Sequence, residues 1–324
     1  MDGILAVWKP AGWTSHDVVA KVRGILRTKR IGHAGTLDPM VTGVLPLCIG
    51  RSTRVVEYLQ DRPKAYRAVL QFGVATDTED TTGNIIEEAA QVTLTEEDIH
   101  QALRSFVGEI DQVPPMFSAV KVDGKRLYEL AREGVTVERK SRRVTIYEIE
   151  LLDMQLNQPR PTITFTAVCS KGTYIRTLCV DIGKALGVPS AMAGLTRTMS
   201  GGFTEKDCLT LEQIAELAAA REMESKLLPA DSALSHLKRV EINEGLEKAA
   251  LQGQKLPYDR IHTDVLGRVQ AEAEAEVQAE AQSEAHDNNL VTVYNESGRF
   301  IGIYEQDADS SVLRPVKVFA GQSS

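Results

Sequence analysis

One short stretch, residues 32–46, constrains the backbone of this chain more than any other part of the sequence. It reads GHAGTLDPMVTGVLP, with three glycines and two prolines around a single acidic residue, Asp38. Pro39 restricts its own φ and biases Asp38 towards an extended conformation, while the glycines permit backbone angles that other residues resist. The stretch lacks the Lys-Ser/Thr pair of a P-loop and the glycine spacing of a dinucleotide fingerprint. It therefore presents one carboxylate on a stiff backbone, near the imidazole of His33.

Two interpretations of Asp38 are open at this point. Asp-Pro is common turn chemistry, so the side chain can simply cap a turn. It can also be a catalytic carboxylate that acts as a nucleophile or a general base. Loop composition by itself favours the turn, and the choice depends on what the rest of the chain supplies.

Bulk composition indicates a globular protein of the cytoplasm. A length of 324 residues predicts about two domains, and 43% apolar residues can form a sizeable core. No apolar run approaches the roughly 20 residues of a membrane span, and the N-terminal residues do not resemble a signal peptide. The four cysteines show neither CxxC nor metal-ligand spacing, so we expect idle or buried thiols.

The distribution of charge matters more than its total. A net charge of −8 argues against a nucleic-acid partner, yet residues 1–72 hold eleven Lys/Arg against five acids. Residues 77–111 hold ten acids and one Arg, and residues 264–288 hold seven acids and one Arg. A basic region around the glycine-rich stretch is what a phosphate backbone needs. An unevenly charged, solvated surface explains the same pattern equally well.

Apolar periodicity and turn residues predict a mixture of helices and strands. Ser15 is expected to cap the first helix. The further helices are expected at 53–59, from Thr95 to about 107, and at 127–131, 174–186 and 211–228. Strands are expected at 65–73, 143–153 and 161–170. Because strands and helices do not alternate strictly, we predict an α+β fold: a mixed, largely antiparallel sheet with flanking helices.

The last quarter of the chain has a different pattern. Short β-like runs occur at 238–242, 289–294, 299–304 and 312–319, so we predict a small, mainly β domain at 236–324 after a larger domain at 1–235. An Ala/Glu-rich, low-complexity segment interrupts the smaller domain at about 264–288. Such a composition buries almost nothing, so we interpret it as a disordered or fraying insertion in a surface loop.

Four motifs, in this order along the chain, carry a resemblance. They are WKPAGWTS at 8–15, GHAGTLDP at 32–39, PPMFSAVK at 114–121 and SKGTYIR at 170–176. Together they strongly resemble the TruB-type tRNA pseudouridine synthases, and Tyr66-Arg67 is similar to that family's second motif. The resemblance is close over residues 3–235. Residues 236–319 are loosely similar to the PUA-type RNA-binding domain that often ends such enzymes.

The resemblance implies an isomerase that needs neither cofactor nor metal. It would detach the uracil of nucleotide 55 in the tRNA T-loop, rotate it and rejoin it to the ribose through carbon. Asp38 would be the catalytic aspartate, since a carboxylate can form and break a covalent adduct. Whether it attacks the ribose or the ring, or first promotes elimination, stays open. The enzyme would act on tRNA as a monomer, without a partner protein or a membrane.

The resemblance also implies roles for other side chains. Tyr66 would stack on the uracil and accept a proton, and Arg176 would pair with Asp38 and lower its pKa. His33 would help extrude the nucleotide, because the chemistry requires the base to leave its stack. Four further positions would line the pocket or bind substrate: Tyr174, Leu195, Lys9 and Lys121. For each of these side chains an ordinary structural role or a phosphate contact is the alternative.

Two other functional classes remain as alternatives. A non-catalytic RNA-binding module would use the basic N-terminal region and its aromatic residues. A glycosidic-bond hydrolase would normally need two carboxylates that flank the substrate. The motifs supply one carboxylate and an arginine, which fits a hydrolase poorly.

Overall fold

A large mixed sheet dominates the computed structural model, which describes residues 1–122, 124–257, 289–306 and 311–319. In the described residues this sheet has nine strands. They are β1 (Gly3–Lys9), β2 (Ile31–His33), β3 (Thr42–Ile49), β4 (Lys64–Phe72), β7 (Gly108–Gln112), β10 (Arg142–Gln155), β11 (Thr162–Cys169), β12 (Ser190–Ser200) and β13 (Phe203–Thr204). Two small hairpins complete the first 235 residues: β5 (Val74–Thr76) with β6 (Ile85–Glu88), and β8 (Lys121–Val122) with β9 (Lys125–Arg126).

The strand order along the sheet is β1-β3-β12-β4-β11-β10-β7, with β2 beside β3 and β13 beside β12. Every pairing is antiparallel except that of β3 with β12, which is parallel. Seven α-helices lie in the described residues: α1 (Ser15–Leu26), α2 (Val56–Asp61), α3 (Glu96–Ser105), α4 (Leu127–Arg132), α5 (Ile175–Ala185), α6 (Leu211–Ala219) and α7 (Glu244–Leu251). The predicted α+β class with a largely antiparallel sheet is therefore confirmed. None of these helices is long and apolar enough to cross a bilayer.

Several strands of the large sheet were not predicted from the sequence pattern. Strands β1 and β3 are buried almost throughout, so they lack the alternation of a half-exposed strand. Strand β3 also contains Gly43 and Pro46, residues that normally argue against a strand. Gly43 is required here, because a Cβ at this position would lie 2.2 Å from the carbonyl oxygen of Arg197 on β12. The close approach of β3 to β12 therefore depends on a glycine.

Two helix boundaries differ from their prediction. Thr14, not Ser15, is the N-cap of α1: its hydroxyl accepts the amide of Asp17, whose carboxylate accepts the amide of Thr14. This reciprocal capping box satisfies two free amides at once, and Ser15 becomes a buried helical residue. Helix α6 ends at Ala219 instead of continuing to 228, because Arg221 adopts a left-handed backbone with φ 62°.

The C-terminal part forms a separate five-stranded sheet. Its strands are β14 (Lys238–Ile242), β15 (Leu256–Pro257), β16 (Leu290–Asn295), β17 (Phe300–Gln306) and β18 (Val312–Val318), in the order β14-β16-β17-β18-β15. This sheet contacts the first 235 residues, since Lys317 Nζ on β18 donates to the carbonyl of Arg54 at 2.7 Å. The predicted β-rich C-terminal unit is confirmed, and the acidic segment at 264–288 lies outside the described residues.

Candidate active site

The loop that carries Asp38 connects β2 to β3 and is anchored on both sides of the aspartate. On one side, Ser15 Oγ accepts the amide of Leu37 at 2.9 Å and lies 3.3 Å from the Leu37 carbonyl. On the other side, the carbonyl of Pro39 accepts the Lys9 ammonium group at 3.0 Å and the Gly12 amide at 2.9 Å. The two motifs at 8–15 and 32–39 are therefore one structural unit.

Asp38 itself reaches towards solvent, while its partner is buried. The Asp38 side chain is 49% exposed, and its Oδ2 lies 3.2 Å from Nε of Arg176, which is 7% exposed. A substrate can thus reach the carboxylate from the open side. The guanidinium holds the carboxylate from the protein side through a charge-assisted contact.

Arg176 joins three separate segments of the chain. Besides Asp38, it donates to the carbonyl of Thr78 at 3.0 Å and to the carbonyl of Phe117 at 2.8 Å. Thr78 belongs to a tight turn organised by Asp80, whose carboxylate accepts the Thr78 hydroxyl and the Thr82 amide, each at 2.9 Å. The guanidinium fork is therefore the point where the motifs at 32–39, 114–121 and 170–176 meet, together with the turn at Thr78.

Tyr66 lies on β4 in the core that also contains Leu37 and Val41, next to the Asp38 loop. Only 8% of the residue is exposed, and burial raises the pKa of its phenol. Leu195, on the neighbouring strand β12, is half-buried and packs against the same core. The structure thus brings Tyr66 and Leu195 to the side of the sheet that supports the Asp38 loop.

His33 ends β2, immediately before this loop. It is half-buried, and its ring meets that of His16 edge-on with 5.4 Å between centroids. Burial lowers the pKa of His33, and the nearby His16 and Arg197 lower it further. His33 is therefore a neutral ring at pH 7, suited to stacking or filling space.

The other residues implied by the resemblance fall into different environments. Tyr174 is half-buried at the start of α5, where Gln112 bonds both its amide (2.7 Å) and its carbonyl (3.0 Å). Lys121 is exposed on β8 and free to contact a polyanion. Lys9 is completely buried and donates to three backbone carbonyls, those of Pro10, Trp13 and Pro39. Its geometry favours the structural role that was left open for it.

Sequence reasoning missed a buried cation in this region, Arg197. It is 1% exposed, and it donates to the carbonyls of Val44 at 2.8 Å and Gly35 at 3.1 Å. The sequence did contain a signal for Arg197, because an arginine stands in the middle of a strand. That strand, β12, was not predicted, so Arg197 could not be placed next to the site.

Within the described residues, no cluster of three His, Cys, Asp or Glu side chains offers a metal site.

Comparisons with known proteins agree with this arrangement. Residues 23–175 match the model of the TruB family pseudouridylate synthase N-terminal domain, and residues 176–235 match that of the tRNA pseudouridylate synthase B C-terminal domain. The chain is 43% identical to tRNA pseudouridine synthase B of Bacillus pumilus, over 99% of this chain and 98% of the relative. It is 48% identical to that of Oceanobacillus iheyensis, over 80% and 86%.

Solved structures show the same fold. A structure of an H/ACA RNP bound to a substrate RNA containing 2'-deoxyuridine aligns with a TM-score of 0.71 and 25% identity, covering 99% of this chain and 86% of that chain. A Cbf5-Nop10-Gar1 complex aligns with a TM-score of 0.71 and 27% identity, covering 98% and 84%. The chain belongs to the TruB family of pseudouridylate synthases.

Proposed function

We propose that this protein converts uridine 55 in the T-loop of tRNA to pseudouridine. The observation that carries the proposal is the ion pair of Asp38 and Arg176 at the meeting point of three motifs. The names of the relatives, tRNA pseudouridine synthase B, supply the substrate class.

The geometry suits an isomerisation driven by one carboxylate. The N1–C1' bond of uridine breaks, a C5–C1' bond forms, C5 loses its proton and N1 gains one, so the net composition is unchanged. Asp38 is held in place by Arg176 and is half-exposed, so it can form and release a transient covalent adduct with the nucleotide. The anchored neighbours Leu37 and Pro39 limit the movement of the carboxylate between these steps.

The neighbouring side chains have roles that fit an extruded base. Uridine 55 must leave its stack before its C5 and glycosidic bond can be reached. His33 would fill part of the vacated space as a neutral ring. Tyr66 would stack on the uracil and accept the C5 proton, with Leu195 and Tyr174 as further walls of the pocket.

RNA binding is expected to use the basic side chains around the site. Residues 1–72 carry an excess of Lys/Arg, and Lys121 is exposed beside the segment whose Phe117 carbonyl contacts Arg176. We expect the protein to act on the T-stem-loop as a cytoplasmic monomer without a protein partner. Gel filtration coupled to light scattering, with and without tRNA, tests the monomer.

The test is a pseudouridine map of an unmodified tRNA transcript after incubation with the pure protein. Pseudouridine should appear at position 55, and added EDTA should not abolish it. Absence of pseudouridine in the T-loop contradicts the proposed function, and loss of activity on chelation contradicts the expectation of a metal-free reaction.

Substitution of the nucleophile separates catalysis from binding. Asp38→Asn should lower the single-turnover rate by about a thousandfold or more, on the scale seen for removed nucleophiles. Affinity for tRNA should change only a few-fold. Asp153→Asn, at an exposed carboxylate on β10, is the matched control and should keep both the wild-type rate and the wild-type affinity for tRNA. If Asp38→Asn retained turnover, or if only binding were lost, a non-catalytic RNA-binding module would explain the protein better.

A further inference from the structure

Arg197 lies directly beside Tyr66 in the sheet. The two residues are opposite each other in the antiparallel pairing of β12 with β4, so their side chains share one face. Arg197 is 1% exposed, and its positive charge lowers the pKa of the Tyr66 phenol against the effect of burial. A buried cation therefore lies next to the phenol on the same face of the sheet.

The hydrogen bonds of Arg197 do not neutralise its charge. In the described part of the chain they go to the carbonyls of Val44 and Gly35, which are both uncharged. Burial of a cation is costly unless hydrogen bonds or opposite charge compensate it. An anion that forms transiently on the phenol oxygen would be such a compensating charge.

Arg197 also connects the phenol to the loop of the carboxylate. The Gly35 carbonyl that it binds lies in the connection between β2 and β3, three residues before Asp38. Gly35 has φ 109°, and a Cβ there would lie 3.4 Å from Arg197 Nη1, so the loop passes close over the guanidinium. The side chain of Arg197 thus lies beside the phenol of Tyr66 and binds the loop that presents Asp38.

We propose that Arg197 is a positioning residue that holds the Tyr66 hydroxyl and stabilises the phenolate that accepts the C5 proton. This rests on the proposed function. In that step the C5–H bond breaks and its proton goes to the phenolate oxygen of Tyr66. The C5–H electron pair forms the C5=C6 double bond, the C6=N1 π pair moves onto N1, and N1 takes a proton from water, leaving hydroxide that the proton from the phenol later neutralises. The phenol then returns its proton to solvent.

The electrostatics of the pair act in the direction that this role requires. Burial raises the pKa of Tyr66 and the nearby Cys169 and Asp38 raise it further, whereas the charge of Arg197 lowers it. Without the guanidinium, the phenolate would be available to a smaller fraction of the enzyme at neutral pH.

The experiment compares Arg197→Gln, Arg197→Lys and Tyr66→Phe with wild type across pH 6 to pH 10. One readout is the single-turnover rate of pseudouridine formation. The other is the tyrosinate absorbance titration, from which the Tyr66→Phe titration is subtracted to isolate Tyr66. Asp153→Asn is the control, since Asp153 is an exposed carboxylate on β10, a strand that pairs with neither β4 nor β12.

Arg197→Gln should raise the pKa of Tyr66 and lower the rate at pH 7 by about tenfold for each unit of that rise. The loss should shrink as pH increases. Arg197→Lys should restore most of the pH profile, because it keeps the charge, and Asp153→Asn should keep the wild-type profile.

An equal fall in rate at every pH, together with an unchanged Tyr66 titration, would overturn the proposal, since only a structural role would then remain. If Arg197→Gln does not fold, Arg197→Lys decides: a Tyr66 titration and a pH profile close to wild type support the role of the charge, and an equal fall in rate at every pH overturns it. A wild-type protein that makes no pseudouridine but shows this Arg197-dependent titration would contradict the proposed function while supporting the pairing.

Discussion

The ammonium group of Lys9 lies 3.0 Å from the carbonyl oxygen of Pro39, the residue that follows Asp38. The same group donates to the carbonyls of Pro10 and Trp13. Burial lowers the pKa of Lys9 to about 8, although the charge of Asp38 raises it. A buried lysine therefore ties the first motif to the catalytic loop through backbone atoms.

Lys9→Met should destabilise the protein and misplace Asp38. Each carbonyl left without a donor should cost about 1–3 kcal/mol of unfolding free energy. A shifted carboxylate should lower the single-turnover rate by on the order of a hundredfold. Urea denaturation and rapid-quench kinetics measure the two effects. Lys21→Met, at an exposed lysine on α1, should change stability by less than about 0.5 kcal/mol. Equal effects of both variants would contradict the anchoring role.

Ser15→Ala and Thr14→Ala separate positioning from stability. Loss of the Thr14 cap should cost about 1 kcal/mol, with little effect on turnover. Loss of the Ser15 hydroxyl leaves the buried Leu37 amide unpaired, at a cost of about 1–3 kcal/mol, and loosens the loop next to Asp38. We therefore expect the rate to fall mainly in Ser15→Ala. The opposite order of rates would show that the hydroxyl is not a loop anchor.

Arg176→Lys should keep a positive charge but lose the fork that reaches three acceptors. A lysine cannot bind the Asp38 carboxylate and the carbonyls of Thr78 and Phe117 in the same geometry. The single-turnover rate should fall by about a hundredfold, while tRNA affinity changes little. The measurement compares the loss of single-turnover rate with the loss of tRNA affinity in the same variant. A variant with normal rate and weak binding would make Arg176 a phosphate contact instead.

His33 should make stability depend on pH below neutrality. Its pKa is lowered in the folded protein, so the unfolded chain takes up a proton that the folded chain resists. Stability should therefore decrease as pH falls below about 6.5, the ordinary pKa of histidine, until the folded pKa is reached. Urea denaturation at pH 7.5, 6.5 and 5.5 should show a smaller decrease for His33→Asn than for wild type. An equal decrease of the unfolding free energy in the two proteins would exclude His33 as the origin of the pH dependence.

Removal of residues 268–286 should leave activity on an isolated T-stem-loop intact. The segment is rich in Ala and Glu and repels a polyanion, so it has no expected role in catalysis. Steady-state kinetics on the stem-loop compare the deletion with the full chain. A large fall in turnover would show that the segment is more than a passive loop.

Local sequence patterns predicted part of the fold and part of the candidate site. The elements β4, β10, β11, α3 and α5 lie close to their predicted ranges, because their apolar periodicity and caps are local properties. The motifs with Asp38, Tyr66 and Arg176 were recognisable because each is a contiguous string of unusual residues. The pairing of Asp38 with Arg176 was expected only through the family resemblance, since 138 positions separate the two residues.

What the sequence by itself determined was the fold class, the family and the identity of the candidate nucleophile. Only the tertiary structure decided which cations are buried and what they hold. From the sequence, Lys9 is a candidate substrate contact, but in the structure its ammonium group donates to three backbone carbonyls. The position of Arg197 beside Tyr66 is visible only once β12 is paired with β4. The physical reason is that burial and hydrogen-bond partners depend on strand pairing between distant segments, which short-range spacing does not encode.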